Sequence, residues 1–80
     1  MSDKQLIEDF YKRKYQRLIK QLVARRIDPY DAEDIVQEAF TRALKYISSF
    51  NSSYCEFGNW FGGILNRCQK DFYHQERIGG

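Results

Sequence analysis

The sequence predicts an all-α fold: a compact helical domain of three main helices. Three observations predict it. Eighty residues hold one proline and five glycines, too few turn formers for many short elements. Apolar residues recur at helical spacing in three stretches, and no alternating strand pattern competes with them. Each stretch opens on a helix-start signal. Hydrophobic residues make up 42% of the chain and aromatic residues 16%, which excludes a disordered segment. Apolar runs are short, as in Leu22-Val23-Ala24, so none is expected to span a membrane or act as a signal peptide. The expected compartment is the cytoplasm. A chain this small buries only about 60% of its unfolded surface, which leaves room for a partner to add stability.

The first helix is expected over residues 3–26, with Ser2 and Gln5 forming a capping box. Its apolar spacing slips near Lys12–Lys14, between Phe10, Tyr15 and Leu18, which leaves open a break into two pieces. The second helix is expected over residues 29–48. Asp28 offers an N-cap acceptor, and Pro29 follows at the one position where a missing N–H costs nothing. The third helix is expected over residues 54–77, opened by a second capping box from Ser53 and Glu56.

At 100° per residue, Ala32, Val36, Ala39, Ala43 and Ile47 share one arc of the second helix, flanked by Ile35, Phe40 and Leu44. Asp34, Gln37, Glu38 and Thr41 lie on the opposite arc, with Lys45 beside them. Asp34 and Glu38 are like charges at i, i+4, which costs a helix a few tenths of a kcal/mol. A solvated acidic face is the plain explanation; a basic partner is the sharper one.

On the third helix Trp60, Phe61, Ile64, Cys68 and Phe72 form the apolar arc. Across from it Gly63, Arg67, Lys70, His74 and Arg77 follow at alternating spacings of four and three. The adjacent Gly62 and Gly63 each cost a helix interior about 1 kcal/mol relative to Ala, so something is expected to pack close to the backbone there. Upstream stand Tyr46, Phe50, Tyr54, Phe57 and Trp60. Cationic side chains beside aromatic faces suit a phosphate backbone with unpaired bases. Phe57 and Phe72 are expected in the core instead.

The net charge of +2 is unevenly spread. Residues 1–27 carry eight Lys and Arg against three acids; residues 28–47 carry five acids against two bases; the remainder balances. Two faces of opposite sign suggest two kinds of partner. No enzyme is expected. Twelve residues separate Cys55 from Cys68, with His74 beyond, and no fourth ligand completes a metal site. Gly58, Gly62 and Gly63 follow no strand, so they form no phosphate-cradling loop. No cofactor, metal or disulfide is expected.

Asp31-Ala32-Glu33-Asp34-Ile35-Val36-Gln37-Glu38-Ala39-Phe40 resembles the signature of region 2 in bacterial sigma-70 factors, of the extracytoplasmic-function type. Phe57-x-x-Trp60-Phe61-x-x-Ile64, followed by Asp71, resembles the family's next block, Phe-x-x-Trp-Leu-x-x-Ile-Ala-x-Asn-x-x-x-Asp. The likeness runs from about Phe10 to Arg77. It implies that the polar face of the acidic helix docks on the clamp helices of the RNA polymerase β′ subunit, through Glu33, Asp34, Gln37, Glu38, Thr41 and Leu44. It also implies that the following block melts and reads the −10 promoter element on the single-stranded non-template strand. The loop 50–56, with Phe50, Ser52 and Ser53, would form the pocket with Phe57, Asn59 and Trp60. Arg67, Lys70, His74 and Arg77 would face the strand. Extracting a base from its stack costs a few kcal/mol, which these contacts must offset.

The chain departs from the family pattern in three ways. Arg67 aligns with the family's base-contacting asparagine, and Asn66 sits one place earlier; arginine offers donors only. Gly62-Gly63 is unusual for that block. Region 4, which binds the −35 element, has no counterpart in these residues, which are expected to form a single region 2 domain. The expected role is therefore the region 2 half of a split sigma factor, with a separate region 4 protein. The exposed basic and aromatic surface of the first helix is a candidate contact for it. An excised domain of a longer factor and a decoy that blocks the β′ clamp are the alternatives. An anti-sigma factor is a further candidate partner.

Overall fold

The computed structural model describes the backbone of residues 3–79 and the side chains of residues 4–74. Its elements are α1 (Asp3–Ala24), α2 (Pro29–Tyr46), a single 3-10 turn (Ile47–Ser49) and α3 (Phe57–Gly79). The molecule extends 42 × 23 × 17 Å. The helix α2 is the middle element and packs along both α1 and α3.

Its inner stripe explains that position. Ala32, Val36, Ala39 and Ala43 are fully sealed, and three of the four are the smallest residue with a Cβ, so both neighbours can approach closely. Ile35 and Phe40 close the edges of the stripe. Phe61 of α3 and Leu22 of α1 are the largest completely buried side chains.

Asp28 caps α2 as the sequence predicts: its Oδ1 accepts from the Tyr30 N–H at 2.9 Å, and its carbonyl accepts from the Ala32 N–H at 2.8 Å. The α1–α2 corner is a Schellman turn. The Ile27 N–H donates to the Leu22 carbonyl at 3.2 Å and the Arg26 N–H to the Val23 carbonyl at 2.9 Å. Ile27 and Leu22 are both buried, the apolar contact that accompanies this motif. Arg26 takes the left-handed position at φ 69°, where glycine would carry no steric penalty.

Three expectations are corrected. First, α1 is one continuous helix. The slip near Lys12–Lys14 reflects two neighbours rather than a break. Phe10 turns to Phe57 and Phe61 of α3, with ring centroids 5.1 and 5.0 Å away, while Tyr11 stands 4.9 Å from Phe40 of α2.

Second, α3 starts at Phe57, not residue 54, and Ser53 does not cap it. The Asn51 side chain captures the Ser53 N–H at 2.8 Å, and the Tyr54 N–H bonds the Asn51 carbonyl at 3.0 Å, so the chain is still turning there. The first α3 bond runs from the Trp60 N–H to the Glu56 carbonyl at 3.1 Å. Third, apart from the neighbouring residues and local backbone of α3 itself, nothing in the described structure lies within 4 Å of where a Cβ would sit on Gly58, Gly62 or Gly63. No described residue explains Gly62-Gly63. Ser2, the first half of the other capping box, lies outside the described residues, as does the side chain of Arg77.

Candidate functional site

The outer side of α2 follows from its inner side. With the alanines turned inward, Glu33, Asp34, Gln37, Glu38, Thr41 and Leu44 all stand exposed. A small polar network ties the upper end to α1. The Tyr15 hydroxyl donates to Glu33 Oε1 at 3.4 Å, and Gln37 Nε2 donates to the same hydroxyl at 3.2 Å and to Glu33 Oε1 at 3.3 Å. Partial burial raises the pKa of the Tyr15 phenol, opposed by the Gln37 hydrogen bond. Thr41 returns its hydroxyl to the Gln37 carbonyl at 3.0 Å.

Below them Glu38 Oε1 is paired with Arg42 Nε at 3.0 Å. The Asp34–Glu38 repulsion read from the sequence is therefore partly relieved by an i, i+4 arginine that the sequence argument passed over. Asp34 has no hydrogen-bond or ion-pair partner among the described residues. Beside Gln37, Thr41 and Leu44, a groove continues onto α1, lined by Lys4, Ile7, Glu8 and Tyr11, with Phe40 at its floor. Tyr11 and Leu44 are 42% and 51% exposed, so the polar ridge has an apolar margin. Tyr11 was legible as one of several helix 1 aromatics, but nothing in its spacing marked it as surface.

The second surface starts at the loop. Phe50 leaves the 3-10 turn in extended conformation and packs on Phe57 edge-on at 5.6 Å and on Trp60 at 5.2 Å. Phe57 and Trp60 are themselves 5.5 Å apart. Phe50, Phe57 and Trp60 thus form a half-buried platform continuous with Phe61 and the core. Tyr46 and Tyr54 do not join it: both are exposed, Tyr54 at 87%, and the Tyr46 ring has the Lys45 ammonium 5.5 Å from its centroid. Ser52, Ser53 and Asn59 are exposed beside the platform.

Farther along α3, Arg67, Lys70 and His74 are exposed on the stripe opposite Phe61 and Cys68. Asn66 is exposed next to them. Burial of Cys68 pushes its thiol pKa upward, as expected of a core cysteine. Between the two surfaces runs a chain of charges. Arg42 Nη1 reaches Asp71 Oδ2 at 2.8 Å, and Arg67 Nε stands 3.5 Å from Asp71 Oδ1. The hydrogen bond from Arg42 holds the Asp71 carboxyl below its ordinary pKa and, with that to Glu38, pushes the guanidinium pKa further up. Sequence reading used Asp71 only as a motif position. Its partner could have been found by noting that Arg42 is the one base of α2 placed one turn after Glu38 and on the α3 side.

A model of the sigma-70 region 2 family matches residues 10–78. The chain belongs to that family. It is an all-α region 2 domain of a sigma factor, with a role in transcription initiation, and the family is one of non-enzymatic transcription-factor domains. The partners the family implies are core RNA polymerase and promoter DNA. No curated protein and no solved structure gives a match.

Proposed function

We propose that this sigma region 2 domain docks on the β′ clamp helices through Glu33, Asp34, Gln37, Glu38, Thr41 and Leu44, and meets the −10 element through the loop and α3. The observation that carries the reading is the separation of charge on two exposed surfaces. Carboxylates and amides line the outside of α2, and Arg67, Lys70 and His74 line the outside of α3. The acid ridge suits a basic coiled coil, with Tyr11 and Leu44 ready for an apolar side chain at its edge. The cationic stripe suits phosphates, while Phe50, Trp60 and Asn59, with Ser52 and Ser53, suit an unstacked base.

The domain acts in the cytoplasm as an extracytoplasmic-function-type module, together with a region 4 protein in a two-part factor. The exposed Lys12, Arg13, Arg17 and Lys20 of α1 form the candidate contact for that protein. An anti-sigma factor would compete for the same surfaces. No described helix is long and apolar enough to cross a membrane.

The test is transcription in vitro with core polymerase and this chain, with and without an added region 4 protein. Promoter-specific product only with both supports the two-part reading. Product from the eighty residues alone contradicts it, and inhibition of other sigma factors without any product supports the decoy.

A further inference from the structure

The outer face of α1 carries the opposite charge to that of α2. Arg13, Arg17 and Lys20 share one arc of the helix and are all exposed, and Arg17 and Lys20 have no hydrogen-bond or ion-pair partner among the described residues. On α2, Asp31 and Asp34 likewise have none among the described residues, and Glu38 is paired with Arg42. The two helices of one molecule pack through their other sides, so these faces do not meet within it.

Their spacings match when the helices run antiparallel. From Lys20 back to Arg17 is three residues and on to Arg13 four; from Asp31 to Asp34 is three and on to Glu38 four. Equal steps cover equal rise, so three cations meet three carboxylates over about 10 Å. One turn farther the same register pairs Asp9 with Arg42, where the signs have exchanged sides. Run parallel, Arg13 and Arg17 still meet Asp34 and Glu38, but Lys20 meets Thr41. The antiparallel order also sets the negative end of the α1 dipole beside the positive end of α2. Tyr30, 81% exposed, comes opposite Gln21 and adds apolar area to a contact otherwise made of charge.

We infer that a second copy of this chain is a partner for the outer face of α2: the outer face of α1 in one copy lies antiparallel along Asp31, Asp34 and Glu38 of the next. The match in register names the occupant, because both halves of it are written in the same eighty residues. The contact is head to tail, so every assembly ends in one free face of each sign and can grow. It covers the ridge assigned above to polymerase but does not depend on that assignment. Exposed ion pairs are individually weak, so the dissociation constant should be on the order of 0.1–1 mM at low salt. Added salt should loosen it, since the charges stay close to water.

The test follows the full chain by sedimentation equilibrium over about 0.05–2 mM. In about 0.02 M salt its mean mass should rise past that of a dimer, and in about 0.5 M salt it should return toward the monomer. Arg17→Glu alone and Asp34→Lys alone should each stay monomeric, with melting little changed because both positions are exposed. Mixed, they should associate again and pass the dimer: the intact α2 of the first meets the intact α1 of the second, and the two reversed charges attract across the next contact. Arg17→Glu mixed with Asp31→Lys should stop at the dimer, because the register then sets like charges together at both altered positions.

A monomer at every concentration in low salt overturns the inference. So does association that survives either single reversal, and so do matched and mismatched mixtures that reach the same mass. Amide NMR shifts of the unaltered chain supply a second readout. Those that move with concentration should fall on residues 9–21 and 30–42, and movement centred on α3 or on the loop before it would contradict the assignment of the contact.

Discussion

The outside of α2 and the loop-to-α3 surface are built on different footings. The α2 ridge stands on a helix whose inner side is complete without it: Ala32, Val36, Ala39 and Ala43 are sealed whatever occupies positions 34, 37 and 38. On the other surface one set of rings serves two purposes. Phe57 and Trp60 are half-buried, packed on Phe50 outside and on the Phe61 side of the core within. Evolution can retune the ridge at little cost in stability. The platform can be altered only by disturbing the fold beneath it.

The largest effect should come from the floor of the platform. Phe61 is fully buried and touches Phe10, Phe40 and Phe57, so Phe61→Ala should cost about 3–5 kcal/mol in urea unfolding. For so small a domain that is most of its stability. A loss well under 1 kcal/mol would mean that the two surfaces are not set apart in this way.

Asp34→Lys should do the reverse. It reverses an exposed charge that has no described partner, so melting should stay within about 0.5 kcal/mol of the parent. Binding to a β′ clamp-helix fragment should fall at least about tenfold, a change of about 1.4 kcal/mol. Retained binding would remove Asp34 from the ridge's function.

How far each surface could be read from sequence follows the same division. The second helix was legible almost to the residue, because its signals are local: Asp28-Pro29 sets the start, and one alanine-rich stripe sets the orientation. The start of α3 was misplaced because Asn51 competes for the Ser53 N–H, and a capping pattern does not reveal which neighbour wins. The apparent break in α1 came from asking one stripe to describe a helix that faces two partners. Glycines were read as close packing because their cost is visible in sequence while the empty space over them is not. The Glu38–Arg42–Asp71–Arg67 chain was missed since its middle link joins residues 29 apart.

Smaller effects sharpen the contrast. Lys70→Ala should leave folding unchanged and lower the slope of log affinity for DNA against log salt by about one. An unchanged slope would take Lys70 off the phosphate path. The smallest effect concerns Asp71, whose pKa is lowered in the folded state by Arg42. Its contribution is present above the carboxylate pKa of the unfolded chain and is lost as pH falls through the lower folded value. A carboxyl-carbon NMR titration should find the Asp71 midpoint below the ordinary carboxylate range, and Arg42→Gln should bring it back up. A midpoint that Arg42→Gln leaves in place would mean that the α2–α3 tie is absent in solution.

The most direct measurement places a photo-crosslinking amino acid at Gln37 in one variant and at Asn66 in another, each assembled with core polymerase, a region 4 protein and promoter DNA. The Gln37 probe should capture β′ and the Asn66 probe the non-template strand. Capture of DNA from Gln37, or of β′ from Asn66, would contradict the assignment of the two surfaces.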